Sequence, residues 1–296
     1  MPCFHPLKGW PSRSVNPTGK RSLTFSEAHG FGSPVEVACG QCIGCRRERA
    51  RQWAARIMDE AQSHDETSFL TLTYSDDQVP AGNSLDPRAL QLFLKRLRRS
   101  LAPKRVRFFG CGEYGDLTFR PHYHLVLLGH AFLSDRVFYK RAKTGERLFT
   151  SPTLDELWSV DGKSLGFATI GSVTHDSAGY VAGYCLKKVT GDQAKAAAHY
   201  GGREPEFMRC SHRIGLEYFK QYRSDLYPDD FQVYKGQKMR IPRYYDKQLP
   251  EEELAVYKER RRAKAEAHAS NNTPARLKVR ETVAKARAAI YSNKEI

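Results

Sequence analysis

The sequence predicts an α+β fold, a two-layer sandwich with a central antiparallel sheet and helices on one face. A β-branched and aromatic segment at 67–74 predicts a strand, and further strand segments follow at 105–112, 122–129 and 166–174. Helical patterns separate most of them, giving the order strand, helix, strand, strand, helix, strand, helix. Two strands in direct succession with a short connection form an antiparallel pair, and helices added to such a sheet build an α+β layer architecture. The 296 residues, 40% of them hydrophobic, suffice for one substantial core.

Residues 1–45 are rich in Pro, Gly, Ser and Cys with little periodicity, and predict an irregular arm. From Arg46 to Gln62, Trp53, Ile57 and Met58 recur at near-helical spacing among Arg47, Arg49, Arg51 and Arg56, which predicts a helix with a basic face. Thr67–Tyr74 is the first strand of the body. Asp86 and Pro87 supply an N-cap and a first-turn proline for a helix whose apolar stripe is Leu90, Phe93, Leu94 and Leu97, with Lys95, Arg96, Arg98 and Arg99 mostly off that stripe. The strand at 105–112 leads through Glu113 into a turn, and His122–Gly129 returns. Asp135–Phe149 is polar and basic, a surface excursion. Thr153 and Glu156 have capping-box spacing at the start of a short helix ending at Trp158. Gly166–Thr174 predicts a strand, His175–Val189 a helix, Ile214–Leu226 another helix, and Gln232–Tyr245 a hairpin turning at Lys235-Gly236-Gln237-Lys238. Beyond Pro250 the chain is charged and poor in large apolar residues after Tyr257, a basic helical or partly disordered tail.

Forty-eight basic against 33 acidic residues leave a formal charge of +15. A surplus of that size points to a polyanionic partner, nucleic acid above all. No run of eighteen apolar residues is present, and the start, Met1-Pro2-Cys3-Phe4-His5-Pro6, lacks the pattern of a secretory signal. Four of the seven cysteines fall before residue 46, a poor disulfide framework that suits a reducing cytoplasm. A membrane-spanning or exported protein is not expected.

Several residues carry chemistry. His122 and His124, two apart in a strand, project to the same side, and Glu113 lies across the hairpin from them, so two imidazoles and a carboxylate converge as metal ligands. Tyr180 and Tyr184, four apart in a helix, share a face with Lys188, and Lys187 adjoins it. Read blandly, the histidines are satisfied polar residues on a sheet face and the tyrosines are packing. Their occurrence together and in this order favours phosphodiester chemistry. Cys39, Cys42 and Cys45 at C-x₂-C-x₂-C spacing, with Cys3 or His5 as a fourth ligand, could hold a structural Zn²⁺. An iron–sulfur cluster and free thiols are the alternatives.

The segments Arg120-Pro121-His122-Tyr123-His124 and Tyr180-Val181-Ala182-Gly183-Tyr184-Cys185-Leu186-Lys187-Lys188, with the upstream Glu113, resemble the motifs of the HUH endonuclease superfamily. Cys39-Gly40-Gln41-Cys42-Ile43-Gly44-Cys45-Arg46, followed by Trp53 and Arg56, is similar to the gokushovirus-type branch of microvirus replication initiators. Superfamily motifs span about Phe69 to Lys188, and the branch-level likeness runs from Met1 to about Tyr222. Tyr123 departs from the usual hydrophobic residue between the histidines. The resemblance implies a DNA nickase and strand transferase that starts rolling-circle replication of a single-stranded DNA phage in the cytoplasm of its bacterial host. It implies Mg²⁺ or Mn²⁺ at His122, His124 and Glu113, and Tyr180 or Tyr184 as nucleophile, giving a 5′-phosphotyrosine and a free 3′-OH. Lys187 and Lys188 would assist. Single-stranded DNA and the viral origin are the implied substrates, contacted by Arg46, Arg47, Arg96, Arg99 and Arg120, with host helicase and DNA polymerase as partners. The chain then divides into an arm and basic helix (1–62), a catalytic body (63–228) and a basic hairpin and tail (229–296). A plasmid relaxase or transposase with the same chemistry, a non-catalytic DNA-binding protein and a zinc hydrolase are the competing readings.

Overall fold

The computed structural model describes residues 3–292 except 18, 116–117, 143 and 185–192. Contacts group the chain into two compact units, Met1–Arg49 with Pro250–Ile296, and Ala50–Leu249. The first unit holds β1 (Leu7–Val15), β2 (Arg21–Thr24) and β3 (Val35–Val37) as a sheet in the order β2-β1-β3. An irregular arm was expected there. The strands escape sequence reading because most of their side chains are exposed, so backbone hydrogen bonds, not an alternating apolar face, define them. Helix α1 (Ile43–Ala61) begins in this unit and continues into the next.

The second unit is built on strands β4 (Thr67–Thr73), β5 (Arg107–Tyr114), β6 (Pro121–Leu128), β7 (Val137–Arg141) and β8 (Arg147–Thr150). Beyond the small hairpin β9 (Ser159–Val160) and β10 (Lys163–Ser164) come β11 (Ala168–Gly171) and β12 (Phe207–Cys210). Seven of these form one sheet in the order β12-β5-β6-β4-β11-β8-β7, antiparallel at every neighbouring pair. Between the strands run α2 (Pro87–Ser100), α3 (Pro152–Leu157), α4 (His175–Tyr184) and α5 (Gln193–Tyr200). Helix α2 starts as read: the Asp86 side chain accepts from Arg88 N–H at 2.8 Å. Helix α3 is capped by Ser151, whose Oγ accepts from Leu154 N–H at 3.2 Å. Thr153 gives its own N–H to Asp135 at 2.8 Å, so the expected Thr153–Glu156 box is not the cap.

Helices cover both faces of the sheet, a correction to the one-faced expectation. On one side Leu70, Leu72, Tyr123, Leu125 and Leu127 pack with the α2 stripe and with Leu154 and Trp158. On the other, Phe109, Cys111, Val126 and Leu128 pack with Ala54 and Ile57 of α1 and Ala178 and Val181 of α4. The reason is in β5 and β6, where adjacent residues such as Phe108 and Phe109 or Val126 and Leu127 are both apolar and demand cover on both faces. Each such side chain, fully buried, contributes about 1.5–3 kcal/mol.

The remainder is α6 (Leu216–Leu226), the hairpin β13 (Phe231–Tyr234) and β14 (Gln237–Arg240), and α7 (Arg243–Asp246) in the second unit, then α8 (Glu251–Ala267) and α9 (Pro274–Ser292) in the first. The hairpin turns at Lys235 and Gly236, both at positive φ, as a tight two-residue turn requires. The basic tail is two helices. No helix among the described residues is long and apolar enough to cross a membrane.

Candidate active site

Glu113, next to last in β5, and His122, second in β6, lie directly opposite each other in the register, with His124 two residues on. Strand alternation sends all three to the face that α1 and α4 cover. Glu113 Oε1 lies 2.7 Å from His122 Nε2 and 3.1 Å from His124 Nε2. One ligand atom from each residue lies within 4.8 Å of the other two. The Glu113 side chain is 2% exposed, that of His124 7% and that of His122 18%, so His122 marks the more open side.

The other ring nitrogens explain the orientation. His122 Nδ1 is 3.1 Å from the Arg120 carbonyl oxygen, which can only accept, so Nδ1 donates there and Nε2 is left to face Glu113. Two acceptors cannot face each other at 2.7 Å unaided; a proton or a cation belongs between them. His124 Nδ1 is 3.0 Å from Thr71 Oγ1, on the neighbouring strand β4 where Thr71 pairs with His124. These are the outer-sphere partners a metal-binding imidazole ordinarily has. A divalent cation therefore fits the donor set. Thr71 was missed in the sequence, although the threonines at 67, 71 and 73, on one face of the strand, were its signal.

Helix α4 brings Tyr180 to the same place. Its ring stands edge-on to His124 with centroids 5.3 Å apart and against Phe69 at 6.4 Å. Tyr184 ends the helix one turn further along; its backbone alone is described. Lys187 and Lys188 lie outside the described residues.

The arginines are scattered by comparison. Arg120 pairs with Asp76 and donates to the Tyr74 carbonyl at 2.8 Å, beside the histidine strand. Arg96 and Arg99 belong to α2, across the sheet from Glu113 and the histidines. Arg96 is half-buried and donates Nε–H to the Leu157 carbonyl at 2.9 Å. Arg99 is exposed; in the first unit Arg46 is half-buried and Arg47 exposed. Arg56, expected on a basic face, has its guanidinium 4.1 Å from the Trp53 ring centroid and 3.7 Å from that of Tyr244, and donates twice to the Ile214 carbonyl. Cys3, Cys39, Cys42 and Cys45 come together, whereas His5 pairs with Glu281 at 2.7 Å.

Comparison with known proteins adds an independent finding. The family model for replication-associated protein ORF2/G2P matches residues 67–189, the stretch holding Glu113, both histidines and both tyrosines. Replication-associated protein ORF2 of Spiroplasma virus 4 is 31% identical over 229 residues, 73% of this chain and 68% of its own. Replication-associated protein VP4 of Bdellovibrio phage phiMH2K is 31% identical over 258 residues, 83% of this chain and 76% of its own. Replication-associated protein ORF4 of Chlamydia phage 1 is 31% identical over 229 residues, 75% of this chain and 55% of its own. No solved structure matches.

Proposed function

The chain belongs to the replication-associated protein ORF2/G2P family, and from that premise we propose that it starts rolling-circle replication of a single-stranded DNA phage by nicking the origin through a tyrosine. The single observation that carries this reading is the placement of Tyr180 against His124, which itself meets Glu113 and adjoins His122.

In the proposed step the phenolic oxygen of Tyr180, or of Tyr184, forms a bond to the scissile phosphorus as the bond from phosphorus to the 3′ oxygen breaks. The phenolic proton passes to solvent, the leaving 3′ oxygen takes up a proton from solvent and becomes a free hydroxyl, and the 5′ phosphate stays on the tyrosine. A phenol titrates near 10, so it needs help to react at neutral pH. Mg²⁺ or Mn²⁺ held by His122 Nε2, His124 Nε2 and Glu113 would, when bound, supply Lewis acidity toward a phosphate oxygen. The protein's part is positional: the Arg120 carbonyl and Thr71 orient the two imidazoles, and the buried Glu113 fixes their approach. The free 3′-OH serves the host polymerase as primer, and a second tyrosine lets one phenol hold the 5′ end while the other makes the closing cut.

Incubation of the full chain with labelled single-stranded origin DNA and Mn²⁺ tests the reading. Wild type should yield a denaturant-resistant adduct, and His124→Ala none, while the variant stays folded and keeps most of its DNA affinity because distributed basic residues supply that. Wild-type nicking by His124→Ala would remove the site from the chemistry.

A further inference from the structure

Cys3, Cys39, Cys42 and Cys45 play no part in nicking, and we propose that they form a four-thiolate zinc site that holds the N-terminal sheet to the start of α1. Their sulfurs all lie within 4.8 Å of one another, and Cys39 and Cys45 Sγ are 3.9 Å apart. A tetrahedral ion with zinc–sulfur bonds of about 2.3 Å sets its ligands about 3.8 Å from each other. A disulfide would need about 2.05 Å, and all four cysteines are free thiols. A four-iron cluster puts each cysteine on a separate iron and so spreads the sulfurs wider than one ion does.

Backbone groups are already turned toward the sulfurs. The N–H of Phe4 donates to Cys42 Sγ, that of Cys39 to Cys3 Sγ and that of Cys42 to Cys39 Sγ, each at 3.3 Å. Amide donors of this kind stabilise thiolates and serve as the outer shell of a metal site. The turn depends on Gly40, at φ +77° between Cys39 and Cys42, a conformation costly for any residue with a Cβ. Cys45 lies in the first turn of α1, where the helix dipole favours an anion. Arg46, Arg47 and Arg49 follow directly and offset the negative charge of four thiolates on a divalent ion.

The first unit also needs such a clamp. Apart from Cys3 and Cys45 themselves, the buried apolar side chains described there are Tyr257 and Leu277, while Leu7, Val15, Leu23, Phe25, Phe31 and Val35 are exposed. A three-stranded sheet with so little core requires a metal or a disulfide to hold its shape.

Metal analysis of freshly purified, reduced, full-length protein decides the matter, with His122→Ala/His124→Ala included so that zinc at the other site is not counted. About one equivalent of zinc should remain in the histidine variant and fall below about a tenth when Cys42→Ser/Cys45→Ser is added to it, because ligand loss abolishes a structural site. Cobalt exchanged into the otherwise wild-type chain should give the intense thiolate-to-metal absorption of a tetrahedral S₄ centre, a readout that survives if the cysteine variant does not fold. Zinc below a tenth of an equivalent in the histidine variant, iron in place of zinc, or cobalt without thiolate absorption would each overturn the proposal.

Discussion

Tyr123 stands between the two histidines and points the opposite way, into the core. Its ring is fully buried. The hydroxyl donates to the Asp86 carbonyl at 2.8 Å, accepts from Asp86 N–H at 3.1 Å and meets Tyr74 Oη at 2.9 Å. An aliphatic residue would fill this place without tying β6 to the N-cap of α2, so the departure from the usual hydrophobic residue adds a fastening. Burial pushes the Tyr123 phenol well above its ordinary range and that of Tyr74 up to about 12, so neither competes as nucleophile. Tyr123→Phe should lower stability by about 1–3 kcal/mol, the cost of leaving buried partners unsatisfied, and keep nicking at a temperature where it is folded. Urea melts check the first part, and an unchanged midpoint would mean those bonds contribute nothing. Thr71 acts through His124. Thr71→Val should weaken the metal dependence of nicking by about 10–100-fold, as loss of an outer-sphere partner does, with Thr71→Ser restoring it. A metal titration of the rate, equal for Thr71→Val and wild type, would leave Thr71 a packing residue.

Helix α1 shows what an element does when its polar residues turn inward. Beside the stacked Arg56, Glu60 accepts from Gly215 N–H at 2.6 Å and pairs with Arg107 at 2.9 Å. Gly215 has φ +80°, and a Cβ there would fall 2.4 Å from the Tyr245 hydroxyl, so the loop before α6 closes only on glycine. Tyr245 in turn donates to Asp59 at 2.6 Å. Burial pushes the Asp59 carboxyl up from 3.8 to about 7, against that hydrogen bond and Arg56. The folded state thus keeps a proton that the unfolded chain releases above about 4, so this contribution is full below the unfolded pKa and is lost as pH rises toward and through about 7. Asp59→Asn retains an acceptor for Tyr245 and removes the titration. Its melting temperature relative to wild type should rise between about pH 5 and 8; a constant difference across that range would contradict the assignment.

At the scale of the whole molecule, the parts legible in sequence are those where a buried face imposes a period. The alternation in β4, the α2 stripe with its Asp86 cap, and the opposition of Glu113 to the histidines could be read because packing and strand geometry leave few options. The hairpin β7–β8 could not. All of β7 is exposed, and its neighbours Arg136 and Arg147 lie over Phe149 and Phe138, so contacts between exposed cations and rings replace a core. The edge strand β12 and helix α5 were missed for lack of periodicity, and the association of both chain termini in one unit depends on long-range contacts such as His5 with Glu281. The net charge of +15 acts at this scale too. If roughly six or more phosphates are neutralised, DNA affinity should fall about a thousandfold between roughly 50 and 200 mM salt. His122→Ala should follow the same slope in a binding titration, and a flat salt response would mean that binding does not rest on phosphate contacts.

Mass spectrometry of the nuclease-trimmed adduct asks directly whether a tyrosine of α4 becomes covalently joined to DNA. The nucleotide should be found on Tyr180 or Tyr184, and the double variant Tyr180→Phe/Tyr184→Phe, folded as wild type, should form no adduct. A nucleotide on Tyr114, Tyr123 or any serine, or an adduct undiminished in the double variant, would contradict the account.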